Sequence, residues 1–316
     1  MLVVIIVSWN VCALLDACIA SLLACAPVGI DLRVVVVDNG SNDGSVALVH
    51  EKFADVEVIT NETNIGFSAA NNVGLRRAES LISPTIAAHS FVLLLNPDTI
   101  VHPGALDTLL MHIRRDETIG IVGPQLRYPD GTIQPSRRRF PNLATMMFES
   151  TWLQPLAPKG LISGYFFEDK EPNQTCDVDW LVGAALMARF SAYIQCGGLD
   201  ATLFFMYSEE TDWCFRLKHA GWRIVYVPSA VITHHEGASS SQVSANRMTF
   251  FNVSKVRYAR KHLGPAQALL LRINLVSQHV VQLLGEAGKL ILGHKRALRQ
   301  ARIAAYRQVI TALATA

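Results

Sequence analysis

Three short segments carry the residue types of a metal or acid–base site. Asn96-Pro-Asp98 comes directly after an apolar run, where a rigid proline would hold a carboxylate that suits Mg²⁺ or Mn²⁺. Glu209-Glu-Thr-Asp212 places three acids among aromatic residues, and a carboxylate desolvated by such neighbours acquires the raised pKa of a general base. His234-His235 leads into a segment rich in glycine and serine, which suits contact with a metal or a phosphate.

Each segment also has an ordinary structural interpretation. Asn-Pro-Asp is a common turn, acids gather at helix N-termini, and a histidine is more often structural than a ligand. A fourth polar segment, Asp38–Gly44, is a good turn, yet it places Asp38 where a carboxylate could accept a hydrogen bond from a pyrimidine N–H. The chain has no G-x-G-x-x-G after its first strand and no Walker A motif, which argues against a dinucleotide oxidoreductase and a P-loop NTPase.

These segments need a scaffold, and short apolar runs alternate with helix-period segments through the first 115 residues. Such alternation indicates parallel strands joined by crossover helices, with ligands bound beyond the carboxyl ends of the strands. We therefore expect Ser8–Asn10, Asp38–Asp43 and Asn96–Thr99, which each follow a strand, to lie at one edge of the sheet. The predicted strands are Leu2–Val7, Leu32–Val37, Val56–Thr60 and Phe91–Leu95, and the predicted helices are Ala13–Ala24, Ser45–Phe53, Ser68–Ser80 and Gly104–Arg115.

Composition narrows the class of protein. Half of the 316 residues are apolar and 17% are charged, which favours a sheet covered on both faces and argues against disorder. A net charge of +2 is too small to indicate nucleic acid as a partner, and six scattered cysteines favour buried free thiols over zinc or disulfides. The first ten residues favour a buried strand over a signal peptide, and charges interrupt the apolar stretch 268–292, so the sequence predicts a cytoplasmic protein without a spanning helix.

Seven segments in this order resemble the inverting glycosyltransferase family 2, which has the GT-A fold, and are most similar to its bacterial rhamnosyltransferase-like branch. The resemblance covers about residues 1–262 and implies an α/β protein with a mostly parallel central sheet flanked by helices. It implies a nucleotide-sugar half (1–120), an acceptor half (121–262) and a basic helical tail (263–316). The segments are Val7–Asn10, Val37–Ser45, Asn64–Asn71, Leu93–Asp98, Val178–Ala185, Gly197–Arg216 and Gly221–Ser239.

The resemblance also implies roles on the donor side. Asn96-Pro-Asp98 would be a variant of the family's D-x-D motif in which an amide replaces the first acid, so that Asp98 is the main carboxylate on a divalent metal. His234 fits the family's metal-binding histidine better than His235, which stays open. Asp38 would recognise the nucleotide base. The predicted donor-binding residues are Ser8, Asn10, Asp38, Asn64, Asn71, Asn96 and Asp98.

On the acceptor side, Glu210 falls where the family usually has an aspartate as catalytic base, and its longer side chain changes the geometry. The run Arg137, Arg138 and Arg139, within Ser136–Pro141, could meet an anionic acceptor such as a lipid diphosphate, with a solvated loop as an equal alternative. The predicted acceptor-binding residues are Trp180, Gly183, Arg137, Glu209 and Asp212.

Together these roles predict a metal-dependent inverting transfer of a sugar from a nucleotide diphosphate donor. The resemblance favours dTDP-rhamnose, with UDP-hexoses second, and a cell-surface glycan or lipid-linked acceptor. A nucleotidyltransferase would be expected to carry a glycine-rich basic loop where this chain has Ser8-Trp-Asn10, and a non-catalytic sugar-nucleotide binder would be expected to lack the acids at 209–212.

The tail has its own pattern. Apolar residues recur at helical spacing from Leu269 to Leu284, and basic residues follow from Lys289. Such a helix can pack on its own domain, form a homodimer or lie on an anionic membrane surface. We expect the first helix to pack and the basic residues beyond Lys289, which packing would not explain, to hold the enzyme peripherally at the inner membrane face.

Overall fold

A computed structural model describes residues 1–237, 244–293 and 295–315 of the chain. Ser239, the last residue of the predicted motif around His234, lies outside these ranges. Contacts divide the chain into two compact units. The larger unit consists of 1–140, 163–202 and 209–239, and we call it the catalytic unit because it contains the predicted base Glu210. The helical unit consists of 141–162, 203–208 and 240–316.

The alternation predicted for the first 115 residues is confirmed, and each element begins and ends within one residue of its expected bounds. Every residue of the central strands is buried, as expected for strands covered on both faces. The strands are β1 (Leu2–Ser8), β2 (Leu32–Asp38), β3 (Val56–Thr60), β4 (Phe91–Leu95) and β5 (Thr99–Val101), and the helices are α1 (Cys12–Ala24), α2 (Ser45–Lys52), α3 (Phe67–Leu81) and α4 (Ala105–Arg115).

The rest of the catalytic unit completes the sheet with strands that are distant in sequence. Two short strands, β7 and β9, pair with each other outside it. The elements are β6 (Ile119–Arg127), β7 (Arg137–Arg138), β8 (Cys176–Asp177), β9 (Trp180–Leu181), β10 (Ala185–Arg189), α7 (Phe190–Cys196), α8 (Glu209–His219) and β11 (Arg223–His234), with α6 (Leu161–Tyr165) at the boundary between the units.

The central sheet has the order β3-β2-β1-β4-β10-β6-β11-β5, and β8 pairs with β11. The α/β class is confirmed, but the sheet is mixed rather than mostly parallel. Within the described residues, four strand pairings are parallel and four are antiparallel, because β10, β5 and β8 run against their neighbours. The first 95 residues contribute three of the four parallel pairings, and their strands could be recognised because helices alternate with them along the chain.

Pairing registers bring several chain segments to one edge of this sheet. Ser8 lies opposite Asp38, and β4 ends beside them at Leu95. Since β10 is antiparallel to β4, its first residue Ala185 lies opposite Leu95 at the same edge. β11 is parallel to β6 and ends at this edge with His234. The predicted convergence of the polar segments is therefore confirmed.

The two faces of the sheet have separate cores. Residues of α1, α2 and α4 pack on one face, and residues of α3, α7 and α8 pack on the other. Helix α3 lies especially close to the sheet, because a Cβ added at Gly74 would come within 2.3 Å of Ile5 Cγ2. These cores hold the strand ends, and the residues that follow them, in fixed positions.

The helical unit has a third core. Leu271 and Leu275 are fully buried there together with Val309 and Leu313. The predicted division into a domain ending at residue 262 and a tail beginning at 263 stays a prediction; helix α9, which ends at 262, packs with the helices that follow it. The helices of this unit are α5 (Leu143–Phe148), α9 (Ser244–His262), α10 (Pro265–Ile291) and α11 (Arg296–Ala314).

Among the described residues, α10 is long and apolar enough to cross a membrane by length and composition alone. The sequence argument against a spanning helix rested on the polar interruptions at Arg272, His279, Glu286 and Lys289, and all four lie within this helix. Core helices pass the same test, and α10 buries one face in its own unit.

Candidate active site

Ser8 and Asp38 form the first polar pair at the sheet edge. They end neighbouring parallel strands, and both side chains are buried. Asp38 Oδ2 accepts a hydrogen bond from the Ser41 backbone N–H at 2.9 Å, which fixes the orientation of the carboxylate. Asp38 Oδ1 and Ser8 Oγ are buried without a hydrogen-bond partner within the structure. Because buried polar atoms are nearly always satisfied, this pair is arranged to bind a polar group.

The predicted donor residue Asn64 is held by Asn39, a residue that the sequence argument did not single out. Asn39 Nδ2 donates to Asn64 Oδ1 at 2.9 Å, and Asn39 Oδ1 accepts from the Ile65 backbone N–H at 3.2 Å. The Asn64 oxygen also accepts from the Gly66 N–H. Asn64 therefore shapes the loop before α3, and the signal for Asn39 was its place directly after Asp38.

Asn10 and Asn71 have local structural bonds as well. Asn10 adopts a positive φ of 52°, and its Oδ1 accepts from the Asn42 backbone N–H, which joins the loops after β1 and β2. Asn71 Nδ2 donates to Phe67 O within α3. One turn earlier, Ser68 Oγ is fully buried without a partner, so the structure adds Ser68 to the candidate residues.

Asp98 and His234 form the second polar group. Strand β5 pairs with β11 so that His234 lies opposite Thr99, and this register brings His234 Nε2 to 3.4 Å from Asp98 Oδ1. Both side chains are about 6% exposed, so the contact is largely excluded from solvent. His235 reaches Asp98 only through its backbone N–H, which donates to the Asp98 carbonyl oxygen. The structure thus brings His234, and not the His235 ring, beside the carboxylate.

A chain of hydrogen bonds fixes the His234 ring. Gln134 Oε1 lies 3.0 Å from His234 Nδ1, and since this oxygen can only accept, Nδ1 carries the proton. Gln134 Nε2 in turn donates to Glu236 Oε2, which also accepts from the Tyr128 hydroxyl. The arrangement leaves Nε2 with its lone pair available in neutral histidine. Gln134 carried no sequence signal, because it lies 100 residues from His234 in an irregular segment.

The donor set of this cluster fits a hard divalent cation. Asn96 Oδ1 and Asp98 Oδ1 are both buried without a hydrogen-bond partner, and His234 Nε2 points at Asp98. An orphaned carboxylate oxygen, an orphaned amide oxygen and an oriented imidazole are ligands that Mg²⁺ or Mn²⁺ accepts, with a substrate phosphate completing the shell. No group of three or more His, Cys, Asp or Glu residues in the described part of the chain is placed to hold a metal.

Glu209 and Glu210 begin helix α8. A Cβ added at Gly183 would lie 3.5 Å from Glu210 Cβ, so Glu210 contacts the segment that leads into β10 at the sheet edge. Glu209 Oε2 and Glu210 Oε2 are buried without hydrogen-bond partners. The structure therefore brings Glu210 and Gly183 together in a desolvated place.

Burial raises the pKa of both carboxyl groups, but the two environments differ. For Glu209 the pKa lies well above its usual range, first because of burial and then because of the neighbouring Glu210 charge. For Glu210 burial raises the pKa, while backbone N–H groups, including that of Gly183, and the charge of Arg138 oppose the rise. Both shifts favour the protonated form, and Glu210 has in addition the Gly183 N–H and the Arg138 charge, which favour its ionised form.

Asp212 and Arg137 are engaged in structural contacts. Asp212 is fully buried and accepts from Arg216 at 2.9 Å, and Arg216 also donates to the carbonyl oxygens of Cys196 and Gly198. Arg137 is buried, stacks on the ring of Tyr226 and donates to backbone carbonyl oxygens. Their predicted roles in acceptor binding stay predictions, which these contacts do not favour.

Arg138 is the arginine of that run that faces the candidate base. Strands β7 and β9 pair Arg138 with Trp180, and the guanidinium lies over the rings of Phe166, Tyr165 and Trp180, at 4.2 Å from the Phe166 centroid. Its charge also lowers the pKa of Glu210. A cation held on aromatic faces beside an acid can attract an anionic group without losing its orientation. The nearby Ser136 Oγ is buried without a partner, which adds Ser136 to the candidates.

Comparisons with known proteins find a family model and curated relatives that match most of this chain. The model of glycosyl transferase family 2 matches residues 3–193. An N-acetylglucosaminyl-diphospho-decaprenol L-rhamnosyltransferase of Mycobacterium tuberculosis is 32% identical over 237 residues, which cover 74% of this chain and 76% of that protein. A rhamnosyltransferase of Escherichia coli K12 is 26% identical over 73% of this chain and 83% of its own length.

Solved structures share the fold. A mannosyltransferase from Pyrobaculum calidifontis, in complex with GDP-Man and Mn²⁺, superposes with a TM-score of 0.57 at 15% identity, covering 99% of this chain and 86% of that chain. GalNAc-T7 with UDP, GalNAc and Mn²⁺ gives a TM-score of 0.55 at 15% identity, covering 74% of this chain and 43% of that chain.

Proposed function

Because the chain belongs to glycosyl transferase family 2, in its rhamnosyltransferase-like branch, and is a glycosyltransferase, we propose that it transfers rhamnose from dTDP-rhamnose to a lipid-linked acceptor. The observation that carries the catalytic part is the buried, unpaired carboxylate oxygen of Glu210 beside Gly183 at the sheet edge. The names of the curated relatives support the sugar and the acceptor class. A nucleotide sugar donor would place the reaction in the cytoplasm, at the inner membrane face.

Glu210 acts in this proposal as the general base. Its carboxylate accepts the proton of the acceptor hydroxyl while that oxygen forms a bond to the anomeric carbon. The bond from the anomeric carbon to the donor phosphate breaks, and its electron pair leaves with the nucleoside diphosphate. A single displacement inverts the anomeric configuration. Burial disfavours a second charge on the neighbouring Glu209, and the Gly183 N–H orients the reactive carboxylate of Glu210.

Other residues at the sheet edge hold the nucleotide-sugar donor in this proposal. Asp38 Oδ1 accepts a hydrogen bond from the pyrimidine N–H, with Ser8 beside it. Asn96, Asp98 and His234 would hold a divalent metal, which when bound would neutralise charge on the diphosphate leaving group. Gln134 keeps His234 Nδ1 protonated and its Nε2 directed at Asp98.

Arg138 and Trp180 would form the acceptor side. A lipid diphosphate is anionic next to its first sugar, and the cation of Arg138 lies close enough to Glu210 to affect its pKa. The aromatic faces around Arg138 offer an apolar surface to a sugar ring. This places the anionic part of the acceptor and its reactive hydroxyl within one site, which favours correct orientation of the attack.

The test is a transfer assay with purified protein. dTDP-rhamnose and UDP-hexoses are offered in turn with a lipid diphosphate-linked N-acetylglucosamine, with and without Mn²⁺, and the product linkage is determined by NMR. We expect Mn²⁺-stimulated rhamnose transfer with inversion. Selective use of a UDP-hexose would overturn the choice of sugar. Nucleotide transfer in place of sugar transfer would overturn the reaction.

A further inference from the structure

Helix α10 exposes an apolar stripe on the side opposite to its packed face. Leu271, Leu275 and Gln278 are buried, and a period of 3.6 residues places the exposed apolar residues on the other side of the helix. The exposed fraction of these residues runs from 46% to 84%, and their helical spacing places them on one face, so they are not scattered singly around the helix. It consists of Leu269, Leu270, Ile273, Val281, Leu284 and Ile291.

The stripe belongs to a unit with a strong positive charge. The helical unit contains thirteen Lys and Arg residues and two acids, whereas the catalytic unit contains fifteen Lys and Arg residues and 24 acids. Both acids of the helical unit form ion pairs, Glu149 with Lys255 and Glu286 with Arg299. The near-neutral charge of the whole chain thus conceals two oppositely charged units.

Basic residues stand at both ends of the stripe. Arg260 and Lys261 are exposed just before α10, and Lys289, Lys295 and Arg296 are exposed around its end. We propose that this face of α10 lies in the interface of an anionic lipid bilayer, with the stripe in the acyl boundary and the basic residues at the headgroups. The proposal does not depend on the proposed function.

The positive charge of the helical unit favours anionic lipid over the other possible occupants of this face of α10. A second copy that docked through the same face of α10 would bring two strongly positive units together, which like-charge repulsion opposes, whereas anionic headgroups complement the charge. Spanning the bilayer would expose the opposite face of α10, with Gln278, His279 and Glu286, to acyl chains. An interfacial position keeps that face packed in its own unit.

The proposed lipid-binding surface is the exposed face of α10, whereas the sequence predicted a surface formed by the basic residues beyond Lys289. The basic residues after Lys289 were not expected to have packing partners, but Arg299 bonds to Glu286 at 2.6 Å and Arg302 lies 3.5 Å from it. Removing everything after Gly288 would delete Val309 and Leu313 from the core, so truncation would not report on lipid contact alone. Point variants of exposed residues are the appropriate test.

The experiment is co-sedimentation with vesicles, without donor or acceptor. Intact protein should bind vesicles that contain phosphatidylglycerol, weakly bind pure phosphatidylcholine, and lose binding as salt rises. Lys295→Glu/Arg296→Glu should weaken binding at least 25-fold, since each charge near the surface contributes about fivefold. Ile273→Gln/Leu284→Gln should weaken it about tenfold or more.

Matched controls lie in the catalytic unit. Arg76→Glu/Arg115→Glu makes the same change of net charge at exposed sites, and Val28→Gln/Ile194→Gln removes apolar residues that are 91% and 55% exposed. Neither control should change binding.

Absence of binding to anionic vesicles, or equal loss in the controls, would overturn the proposal. A dimer that Ile273→Gln/Leu284→Gln dissociates, with vesicle binding unchanged, would assign the face to a second copy. Transfer to a water-soluble acceptor without vesicles tests the proposed function separately.

Discussion

At the scale of single residues, the unpaired buried atoms mark the candidate site. Eight of the nine buried side-chain atoms without partners in the described structure lie in the catalytic unit, on residues of the sheet edge or of the segments next to it. Leaving such atoms unsatisfied costs about 1–3 kcal/mol each, so their concentration in one unit indicates that a ligand completes them. The acids and amides that suggested chemistry in the sequence are largely the same residues.

Glu210→Gln should abolish transfer while donor binding stays. The amide cannot accept the acceptor proton, so we expect turnover to fall by about 10²-fold or more. Nucleotide binding, measured by calorimetry, should be unchanged because the side chain lies on the acceptor side. Glu209→Gln is the matched control and should keep most activity, since Glu210, and not Glu209, lies beside the Gly183 N–H and the Arg138 charge that favour an ionised carboxylate. The reverse pattern would identify Glu209 as the base.

The pH dependence of transfer should report the raised pKa of Glu210. The base is active only when ionised, so the rate should fall as pH decreases through a pKa above the usual glutamate value. In Arg138→Met the acid limb should move to higher pH, because the arginine charge lowers this pKa. An acid limb at the ordinary glutamate pKa in both proteins would contradict the burial of the base.

Gln134→Leu should weaken metal binding without removing a ligand. The leucine cannot accept the His234 Nδ1 proton, so the ring loses its orientation, and loss of such a partner typically costs 10–100-fold in affinity. Mn²⁺ titration by calorimetry measures this directly. Gln125→Leu, a buried glutamine of β6 that bonds to Asn173, is the control for general damage and should leave the affinity near that of the parent. Equal Mn²⁺ affinities in the parent, Gln134→Leu and Gln125→Leu would contradict the positioning role of Gln134.

Sequence reasoning identified residues better than it identified their contacts. Asp38, Asp98, Glu210 and His234 were recognisable because each follows a strand or stands in an unusual local composition. The ion pair of Asp212 with Arg216 and the hydrogen bonds of Arg137 to backbone carbonyl groups depend on where distant loops lie. No local pattern encodes those contacts, and the same holds for Gln134 and Ser68.

At the scale of elements, the close approach of α3 to β1 positions the donor side. Gly74→Ala would place a methyl group 2.3 Å from Ile5 Cγ2, and Ile5 is fully buried. Overpacking of about 1–3 kcal/mol should outweigh the gain of about 1 kcal/mol in helix propensity. We expect a lower free energy of unfolding by urea titration. Gly285→Ala in α10, where nothing lies within 4 Å, should instead increase it.

The elements differ in how far the sequence could predict them. Local alternation predicted β1 to α4 within one residue, because covered strands and amphipathic helices each leave a periodic pattern. The pairing of β10 between β4 and β6 joins residues about 65 to 98 positions apart and makes the sheet mixed. Periodicity carries no information on such partners, so the mixed order appeared only in the structure.

At the scale of the whole molecule, the helical unit is assembled from separate parts of the chain. Gln278 of α10 donates to Met147 O, and Lys255 of α9 bonds to Glu149, just after α5. Both bonds join the segment 141–162 to helices more than a hundred residues later. No helix was predicted in this segment, because Pro141, Pro155 and Pro158 interrupt any helical periodicity, so α5 and its packing against α10 appeared only in the structure.

The buried ion pair between Lys255 and Glu149 should be important for the stability of this unit. The Nζ–Oε2 distance is 2.8 Å, both side chains are at most 14% exposed, and burial lowers the pKa of Lys255. Lys255→Met removes one partner and leaves a nearly buried carboxylate, so we expect the free energy of unfolding to fall by about 3 kcal/mol. Lys255→Met/Glu149→Leu should recover part of this loss, because the uncompensated charge is gone. Lys159→Met, at an exposed site of the same unit, should stay within about 0.5 kcal/mol of the parent. A double variant no more stable than Lys255→Met would mean that packing around the lysine stem, and not the charge pair, stabilises the contact.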